Sequence, residues 1–437
     1  LATTDTWRSM RRKNNEFRGF EGMRLAFVAI ALSGVLWLAA CSPAIAQPIE
    51  FKFQTYGLEV DEDNIIQNAW HLDPLFEKLY QLRLANDRCV NIVHIGDSHI
   101  QADYMTSIIR RQFHRDFGNA GRGLIVPLRV ARTNEPNNFK TASNVTWKSK
   151  RCVFPDQPLP IGVGGVTIES DDPAANLEIF MNDLWLDYSF NSLALFYQKD
   201  ASSFDFSVRD LQGRELAFIS AQDNDSSRDI STASWSELVN AVNIQSVKTN
   251  ESQTKALVYG AVLRNSNNGV LYHTIGVNGA KYKHYNEAKH FASQTAGLKA
   301  DVFIISLGTN ESIDYPNVDR TFTNQVDALV RSLKSYNPKA VFILVTPQDV
   351  FRRKNRPNPG IRNVRDQIIR YAVENGLAFY DLYRAMGGED SAKRWSENSL
   401  LRPDGVHLTK EGYEYQGNLF YQALIKGYNS YVPDRHP

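Results

Sequence analysis

The sequence predicts an α/β protein, a three-layer αβα sandwich with a five-stranded, mostly parallel sheet and an inserted all-β sandwich domain. Five continuous apolar runs alternate with helix-length amphipathic stretches, which is typical of a parallel sheet covered by helices on both faces. One interval, from about 141 to 268, breaks this alternation and holds short β-rich pieces instead. A chain of 437 residues is also too long for one compact core, so we expect two domains.

The five predicted strands are runs in which most residues are apolar, as expected of strands that are buried on both faces. Apolar residues at helical spacing follow Ser98, lie between the third and fourth runs, and recur before Gly376. These stretches predict the helices that connect the strands. The predicted strands are CVNIVHI (89–95), VLYHTI (270–275), DVFIISL (301–307), AVFILVT (340–346) and LAFYDL (377–382).

The interrupting segment contains eight short β-rich pieces, among them LWLDYSF (184–190), separated by turns rich in Asp, Asn, Ser and Gly. This spacing is typical of a β-sandwich. We therefore expect residues 47–140 and 269–437 to form the α/β domain and residues 141–268 to form the inserted sandwich. A lead-in before the first strand contains a predicted helix around PLFEKLYQLRLA.

The N-terminal region predicts export. Residues 23–46 combine a basic start, an apolar run and small residues at the end, which is the composition of a secretory signal peptide. The apolar run, from Leu25 to Ala40, is short for a membrane span. We expect residues 1–22 to be an upstream extension from a mis-assigned start, with Met23 the true first residue.

Two endings of the signal peptide remain open. LAAC, ending at Cys41, resembles a bacterial lipobox and would leave a lipid-anchored Cys41 at the outer membrane. AIA before Gln47 resembles a plain cleavage site and would leave a free periplasmic protein. Both alternatives export the chain.

Charge and cysteine content exclude other classes. The 49 Lys and Arg residues nearly balance 48 Asp and Glu residues, so no strong field recruits nucleic acid. Cys89 and Cys152 would remain after processing, either as a disulfide in an oxidising compartment or as two buried thiols. No Cys/His cluster has metal-ligand spacing, so we expect neither a metal nor a cofactor.

The first predicted strand runs into Gly-Asp-Ser-His at 96–99. Ser98 would then lie at the carboxyl edge of the sheet and at a helix start, where ligands bind and N–H groups favour an oxyanion. A serine needs a base, and His99 is a poor candidate because neighbouring side chains diverge. On its own this sequence is more typical of an ordinary turn. As part of a catalytic site, we expect Asp97 to shape the turn and His99 to line the site.

Other chain segments place glycine and polar residues at the same edge. TIGVNGAKY puts Gly276 and Gly279 after the second predicted strand, and SLGTNES puts Asn310 after the third. RPDGVHLTKEGY holds Asp404 and His407 three residues apart, a spacing that lets a carboxylate orient an imidazole. Each signal alone is more typical of a structural turn or of a helix-capping loop.

Together, in this order, the four segments resemble the SGNH (GDSL-type) hydrolases. The resemblance covers about 60–140 and 269–430 and implies a flavodoxin-like αβα fold. It departs from the family at Glu311, where many members carry Asp. The matching blocks are GDSH (96–99), NGA (278–280), GTNE (308–311) and DGVH (404–407).

The resemblance implies a role for each matching residue. Ser98 would be the nucleophile, His407 the general base and later acid, and Asp404 the group that orients His407. The Ser98 N–H, the Gly279 N–H and the Asn310 side-chain amide would form the oxyanion hole.

Two further residues are candidates for substrate binding. Gly276 is the rival of Gly279 for the middle block, although the family pattern of a glycine after Ser or Asn favours Gly279. His99 is the second candidate, because it follows the nucleophile directly.

A closer likeness lies in GDSHIQADYMT, FGNAGRGLIVP and GVNGA together with the β-rich insert. These resemble bacterial peptidoglycan O-acetylesterases, SGNH enzymes with an inserted carbohydrate-binding-like β-sandwich. The likeness implies a serine esterase that removes O-acetyl groups from cell-wall glycan through an acyl-enzyme. Insert aromatics would either stack on sugars or form the sandwich core; they are Trp147, Trp185, Tyr188 and Trp235.

Alternatives to this function remain open at the level of sequence. Within enzymes they are another carbohydrate acetylesterase, a general SGNH lipase or esterase, and an O-acetyltransferase with a glycan acceptor in place of water. The non-enzyme alternative is a glycan-binding protein whose hydrolase domain is vestigial. The sequence does not fix the oligomeric state.

Overall fold

The computed structural model describes residues 46–433 apart from short gaps. The predictions for the upstream extension, for the signal peptide up to residue 45 and for a lipid on Cys41 lie outside the described residues. From Pro48 onward the chain forms one compact unit. The gaps are 59–60, 62, 155–158, 223–228, 317, 319 and 354–355.

Helices connect the strands of the first sheet and cover its faces. Two 3₁₀ helices, Ala69–Leu72 and Thr295–Leu298, supplement them. The α-helices are α1 (Asp73–Ala85), α2 (Ser98–Gln101), α3 (Tyr104–Phe117), α4 (Tyr282–Glu287), α5 (Phe291–Gln294), α6 (Thr309–Ser312), α7 (Phe322–Tyr336), α8 (Gly360–Glu374), α9 (Leu382–Ala385), α10 (Ser391–Glu397) and α11 (Lys410–Ser430).

The strands fall into three large sheets and one short hairpin. They are β1 (Cys89–Gly96), β2 (Gly123–Ile125), β3 (Phe139–Ala142), β4 (Lys148–Arg151), β5 (Val166–Ser170), β6 (Asn176–Met181), β7 (Phe190–Tyr197), β8 (Asp205–Arg209), β9 (Glu215–Ile219), β10 (Ile230–Val239), β11 (Ala241–Val247), β12 (Ala256–Arg264), β13 (Gly269–Gly276), β14 (Val302–Ser306), β15 (Val341–Val345), β16 (Phe351–Arg353), β17 (Arg356–Pro357) and β18 (Ala378–Tyr380).

The first sheet has five parallel strands in the order β13-β1-β14-β15-β18, which confirms the predicted sheet. Every predicted apolar run overlaps one of these strands. Successive residues of β1 alternate between two cores: Ile92 packs on one face, and Val93 on the other. Because helices or further sheets cover both faces, the strands need apolar residues at every position, which explains the continuous runs.

The remaining two large sheets are antiparallel and form the predicted all-β part. One contains β10-β7-β12-β5-β4 with β2 paired to β12, and the other β3-β6-β11-β8-β9. Strands β2 and β3 already belong to these sheets, so they begin at Gly123, before the expected boundary at 141. The hydrophobic core of these sheets is continuous with one face of the parallel sheet.

Two predicted details of the insert are wrong. The piece LWLDYSF is a loop up to β7, because the Asp183 carboxylate accepts hydrogen bonds from the Trp185 and Leu186 N–H groups. Strand β10 was not predicted, because it lies at a sheet edge and exposes half of its side chains. An edge strand with a polar face leaves no apolar run in the sequence.

Other local predictions can be compared directly with the structure. The lead-in helix is confirmed as α1. In the described part of the chain Cys89 and Cys152 form no disulfide. Cys152 is buried in the sandwich, as the second alternative expected, whereas Cys89 is partly exposed at the start of β1. Among the described residues, no helix is both long enough and apolar enough to cross a bilayer.

Candidate active site

Four chain segments meet at the carboxyl edge of the parallel sheet. Ser98 follows β1, Gly279 follows β13, and Asn310 follows β14. Since β1 lies between β13 and β14, these three residues come from neighbouring strand ends. The loop before α11 adds Asp404 and His407 at the same edge.

The turn that presents Ser98 is stabilised by Asp97. The Asp97 carboxylate accepts a hydrogen bond of 3.0 Å from the His99 N–H and so caps α2, as the sequence predicted for its turn. Helix α2 is four residues long, so its dipole contributes far less than the sequence argument assumed. The N–H groups at this turn, rather than a macrodipole, are therefore the relevant donors.

Ser98, His407 and Asp404 form a hydrogen-bonded chain. His407 Nε2 lies 2.9 Å from Ser98 Oγ, and His407 Nδ1 lies 3.0 Å from Asp404 Oδ2. A carboxylate accepts and does not donate, so Nδ1 carries the proton, and Nε2 is left free to accept from the serine hydroxyl. This is the geometry of a nucleophile, its base and the group that orients the base.

The backbone of the same loop holds Asp404 in place. Its Oδ1 accepts hydrogen bonds of 2.8 Å from the Val406 N–H and 2.9 Å from the His407 N–H. Partial burial raises the pKa of Asp404, but these N–H groups and the His407 ring outweigh it and leave the pKa below its ordinary value. Asp404 is therefore ionised at neutral pH, as a group that stabilises an imidazolium must be.

Two backbone N–H groups are available for an oxyanion. Among the described residues, neither the Ser98 N–H nor the Gly279 N–H has a hydrogen-bond acceptor, and both residues line the same cleft. Gly279 has φ 78°, in the left-handed region that glycine adopts without strain. The neighbouring Ala280 N–H, by contrast, is used by the Val277 carbonyl at 2.9 Å.

Asn310 also faces the cleft, but its amide has acceptors already. Asn310 Nδ2 lies 3.0 Å from the Ala280 carbonyl and 3.2 Å from Asp97 Oδ2. An oxyanion at Ser98 would have to take one of these N–H groups from Asp97 or from the Ala280 carbonyl. The carboxyl group that orients the nucleophile turn therefore also contacts the third donor.

Two buried carboxyl groups lie behind this donor. Burial raises the pKa of Asp97 to about 7, helped by the nearby negative charge of Glu311. Burial likewise raises the pKa of Glu311 to about 7, although Glu311 Oε1 accepts a hydrogen bond of 2.8 Å from the Tyr282 N–H. Glu311, the one departure from the family pattern, is thus a buried group that braces the segment carrying Asn310.

The two candidate substrate-binding residues lie away from the cleft. Gly276 is packed against the backbone of α2, where a Cβ would come within 2.2 Å of the Gln101 nitrogen, so it is a close-approach position. His99 is buried behind His407 and hydrogen-bonds Tyr413 Oη through Nδ1 at 2.8 Å. The structure therefore places Gly276 and His99 as supporting residues and not on the cleft wall.

The cleft over Ser98 has a volume of about 570 Å³. Several of its lining residues were not predicted as site residues from the sequence, although some of them, such as Asn278, lie within the quoted motifs. The polar run TNEPNN (133–138) was the available signal, since such a run marks a surface loop. The missed lining residues are Ala102, Tyr104, Asn134, Glu135, Asn137, Asn278, Arg402 and Tyr413.

Gln101 joins two walls of this cleft. Its Oε1 accepts a hydrogen bond of 2.6 Å from the Asn278 N–H, and its Nε2 donates to the Asn134 carbonyl at 2.8 Å. Asn278 Nδ2 donates in turn to Asn134 Oδ1 at 2.5 Å. The loop that carries Gly279 is thereby tied to the loop of the TNEPNN run.

Residues 245–415 match the model of the GDSL-like lipase/acylhydrolase family. The matched stretch contains Gly279, Asn310, Asp404 and His407, and these are the residues that the structure gathers around Ser98. Ser98 lies before the matched stretch because the antiparallel sheets separate β1 from the rest of the parallel sheet.

The stretch that matches the family model and the geometry of the site agree with each other. A solved structure of a peptidoglycan O-acetylesterase superposes with a TM-score of 0.69 at 19% identity, covering 82% of this chain and 97% of that one. At this coverage the shared fold includes antiparallel sheets as well as the parallel one. No curated protein sequence matched the chain.

Two other solved structures match a smaller part of the chain. A GDSL-like lipase from Bacteroides thetaiotaomicron matches at 22% identity with a TM-score of 0.28, covering 36% of this chain and 76% of that one. A catalytic mutant of an acetylxylan esterase from Geobacillus stearothermophilus matches at 18% identity with a TM-score of 0.26, covering 36% and 73%.

Proposed function

We propose that the protein is an exported serine esterase that hydrolyses O-acetyl esters on cell-wall glycan through an acyl-enzyme. The observation that carries the proposal is the continuous hydrogen-bonded chain from Asp404 through His407 to Ser98 at the floor of an open cleft. An assembled chain of this kind argues against the alternative of a vestigial hydrolase domain.

The acylation step follows from the geometry. His407 Nε2 removes the proton of Ser98 Oγ as that oxygen attacks the acetyl carbonyl carbon. The carbonyl oxygen becomes an oxyanion, which the free N–H groups of Ser98 and Gly279 and the Asn310 amide stabilise. The intermediate collapses when the sugar oxygen leaves with the proton from His407, and the acetyl group stays on Ser98.

Deacylation reverses these roles with water. His407 takes a proton from a water molecule whose oxygen attacks the acetyl carbon, and Ser98 leaves with that proton. Asp404 remains ionised throughout and stabilises the imidazolium in both steps. An acetyltransferase would use the same steps with a glycan hydroxyl in place of water, so the acceptor separates these two functions.

The substrate class and the location each have support apart from the catalytic geometry. The fold is shared along most of its length with a protein described as a peptidoglycan O-acetylesterase. Residues 23–46 have the composition of a signal peptide, which would bring the enzyme to the periplasm or, through Cys41, to the outer membrane. An acetylated glycan of the cell envelope would be accessible in both places.

The decisive experiment measures acetate release from O-acetylated peptidoglycan, O-acetylated xylan and esters of longer acyl chains. We expect release from the peptidoglycan by the wild type, and none above background from Ser98→Ala. Mass spectrometry of protein quenched during turnover should find an acetyl group on Ser98. Release of longer acyl groups without activity on glycan, or full activity of Ser98→Ala, would contradict the proposal.

A further inference from the structure

A second pocket of about 410 Å³ adjoins the catalytic cleft. Ala102, Tyr104 and Asn137 line both, so the two form one continuous surface groove. Tyr104 stands at the junction, where its ring is stacked on that of Tyr413 at a centroid distance of 6.1 Å and an interplanar angle of 20°. We call this the Trp185 pocket, after the residue that forms its far side.

Trp185 is the most exposed of the four aromatic residues singled out in the insert. Its exposed fraction is 71%, whereas Trp147 and Tyr188 are almost fully buried. Trp235 is partly buried and packs edge-on against Phe190 at 5.8 Å. Trp147 and Tyr188 therefore belong to the core, whereas Trp185 is available to a ligand beside the cleft.

Hydrogen bonds within the loop and to a neighbouring segment fix the loop that carries Trp185. The Asp183 carboxylate accepts hydrogen bonds of 2.8 Å from the Trp185 N–H and 3.0 Å from the Leu186 N–H. The Asn182 N–H donates at 2.9 Å to the Asn138 carbonyl, which ties the loop to the segment that lines both pockets. An exposed indole on a braced loop loses little conformational entropy when it binds a ligand.

The charged groups of the pocket favour an anion. Arg111, Lys140 and Lys410 supply three cations, and the Arg111 guanidinium lies 5.2 Å from the centre of the Trp185 ring. Glu414 opposes Lys410 at 3.8 Å. Of the other two lining carboxylates, Asp183 accepts hydrogen bonds from N–H groups of the loop, and Asp103 is paired with buried arginines.

The negative charge of Asp103 is balanced by two buried arginines. Its carboxylate is fully buried and hydrogen-bonds Arg110 at 2.8 Å and Arg122 at 2.9 Å. These two guanidinium groups hold the pKa of Asp103 well below its ordinary range despite the burial. The positive charge of Lys140 and Arg111 is therefore left to face the groove.

We propose that the Trp185 pocket is a glycan subsite that holds a carboxylate-bearing sugar unit of the same glycan chain as the ester at Ser98. The indole face would stack on the apolar face of the sugar ring, and Lys140, Lys410 and Arg111 would bind the carboxylate. This inference rests on the proposed function, since it assumes that the ester at Ser98 is carried on a glycan chain. It assigns to the all-β part a direct contribution to substrate choice.

The first test compares kcat/KM for O-acetylated peptidoglycan fragments with kcat/KM for a small chromogenic acetyl ester. We expect Trp185→Ala to lower the ratio of the two values about tenfold, equivalent to about 1.4 kcal/mol. Trp70→Ala is the matched control, because Trp70 is 64% exposed and lies on a different surface. An unchanged ratio in Trp185→Ala overturns the subsite.

The second test concerns the charge. The double variant Lys140→Ala/Lys410→Ala should lower kcat/KM for the carboxylated fragments about tenfold, and the effect should shrink at high salt. O-acetylated xylo-oligosaccharides without carboxylates should show no such loss. Lys148→Ala is the control, since Lys148 is a similarly exposed lysine on the sandwich. Equal losses on both substrates overturn the assignment of a carboxylate.

A binding measurement separates failure of the subsite from failure of the proposed function. Calorimetry with the Ser98→Ala protein and the same carboxylated fragments measures binding without turnover. If the wild type releases no acetate from glycan, the proposed function fails, yet binding that Trp185→Ala abolishes still supports the subsite. Binding that is absent, or that is equal with and without Trp185, overturns it.

Discussion

The imidazole ring of His99 lies 5.2 Å from the ring of His407, centroid to centroid, at an interplanar angle of 37°. His99 is held there by the hydrogen bond of its Nδ1 to Tyr413 Oη at 2.8 Å. Burial, together with the neighbouring His407, lowers the pKa of His99 to about 3, so His99 is neutral at physiological pH. A neutral ring supports His407 from behind without opposing the positive charge that His407 acquires during catalysis.

His99 should therefore act as a positioning residue. We expect His99→Ala to lower kcat for a small acetyl ester about tenfold with little change in KM. The reason is that the His407 ring loses the neighbouring ring that holds its orientation. His99→Phe, which keeps a ring at this position, should recover most of the activity. A kcat that is the same in both variants, with both proteins folded by circular dichroism, would contradict this role.

Asp404 should be required for the tautomer of His407. In Asp404→Asn the amide can donate to Nδ1, which places the proton on Nε2 and removes the base from Ser98. We expect kcat to fall about 10³-fold or more, as it does in other triads when the acid becomes an amide. The measurement is kcat for a chromogenic acetyl ester, and a loss of less than about tenfold would exclude Asp404 from the triad.

Asn310 should act on the transition state more than on the bound substrate. Asn310→Ala is expected to lower kcat by about 10²- to 10³-fold while KM stays nearly constant, because the donor acts on an oxyanion that the ground state lacks. Asn310→Asp, which keeps the shape of the side chain without the N–H groups, should lose at least as much. A change confined to KM would assign Asn310 to substrate binding instead.

The parallel sheet and the polar residues at its edge could be predicted because their signals lie in local sequence. Strands such as β1 and β14 are buried on both faces, so their sequences are largely continuous apolar runs. Once Ser98, Gly279 and Asn310 follow such runs, the topology of a parallel sheet brings them to one edge. The separation of Ser98 from His407 in the chain, 309 positions, did not obscure this.

The groove around the site could not be predicted, because it depends on contacts between loops. The hydrogen bond between Asn278 and Asn134 joins residues 144 positions apart, and the NGA block that contains Asn278 does not indicate which residue it contacts. Exposure of Trp185 and burial of Trp147 likewise follow from which loop or strand each occupies. A polar edge strand such as β10 gives no apolar signal. Residues 123–142 pair with later strands of the antiparallel sheets, so these sheets begin earlier in the chain than predicted.

Asp97 should make the stability of the protein depend on pH. Burial raises its pKa to about 7, so between about pH 4 and pH 7 the folded protein keeps a proton that the unfolded chain loses. Stability from this group therefore falls as the pH rises through that window. In Asp97→Asn the side chain stays neutral, so the free energy of unfolding of this variant, relative to wild type, should rise from pH 5 to pH 8. Urea unfolding at several pH values measures this difference. Asp171→Asn serves as the control, because the Asp171 carboxylate is 77% exposed. If the free energies of unfolding of Asp97→Asn and wild type change with pH in parallel, Asp97 is ionised in the folded protein throughout, and the prediction is wrong.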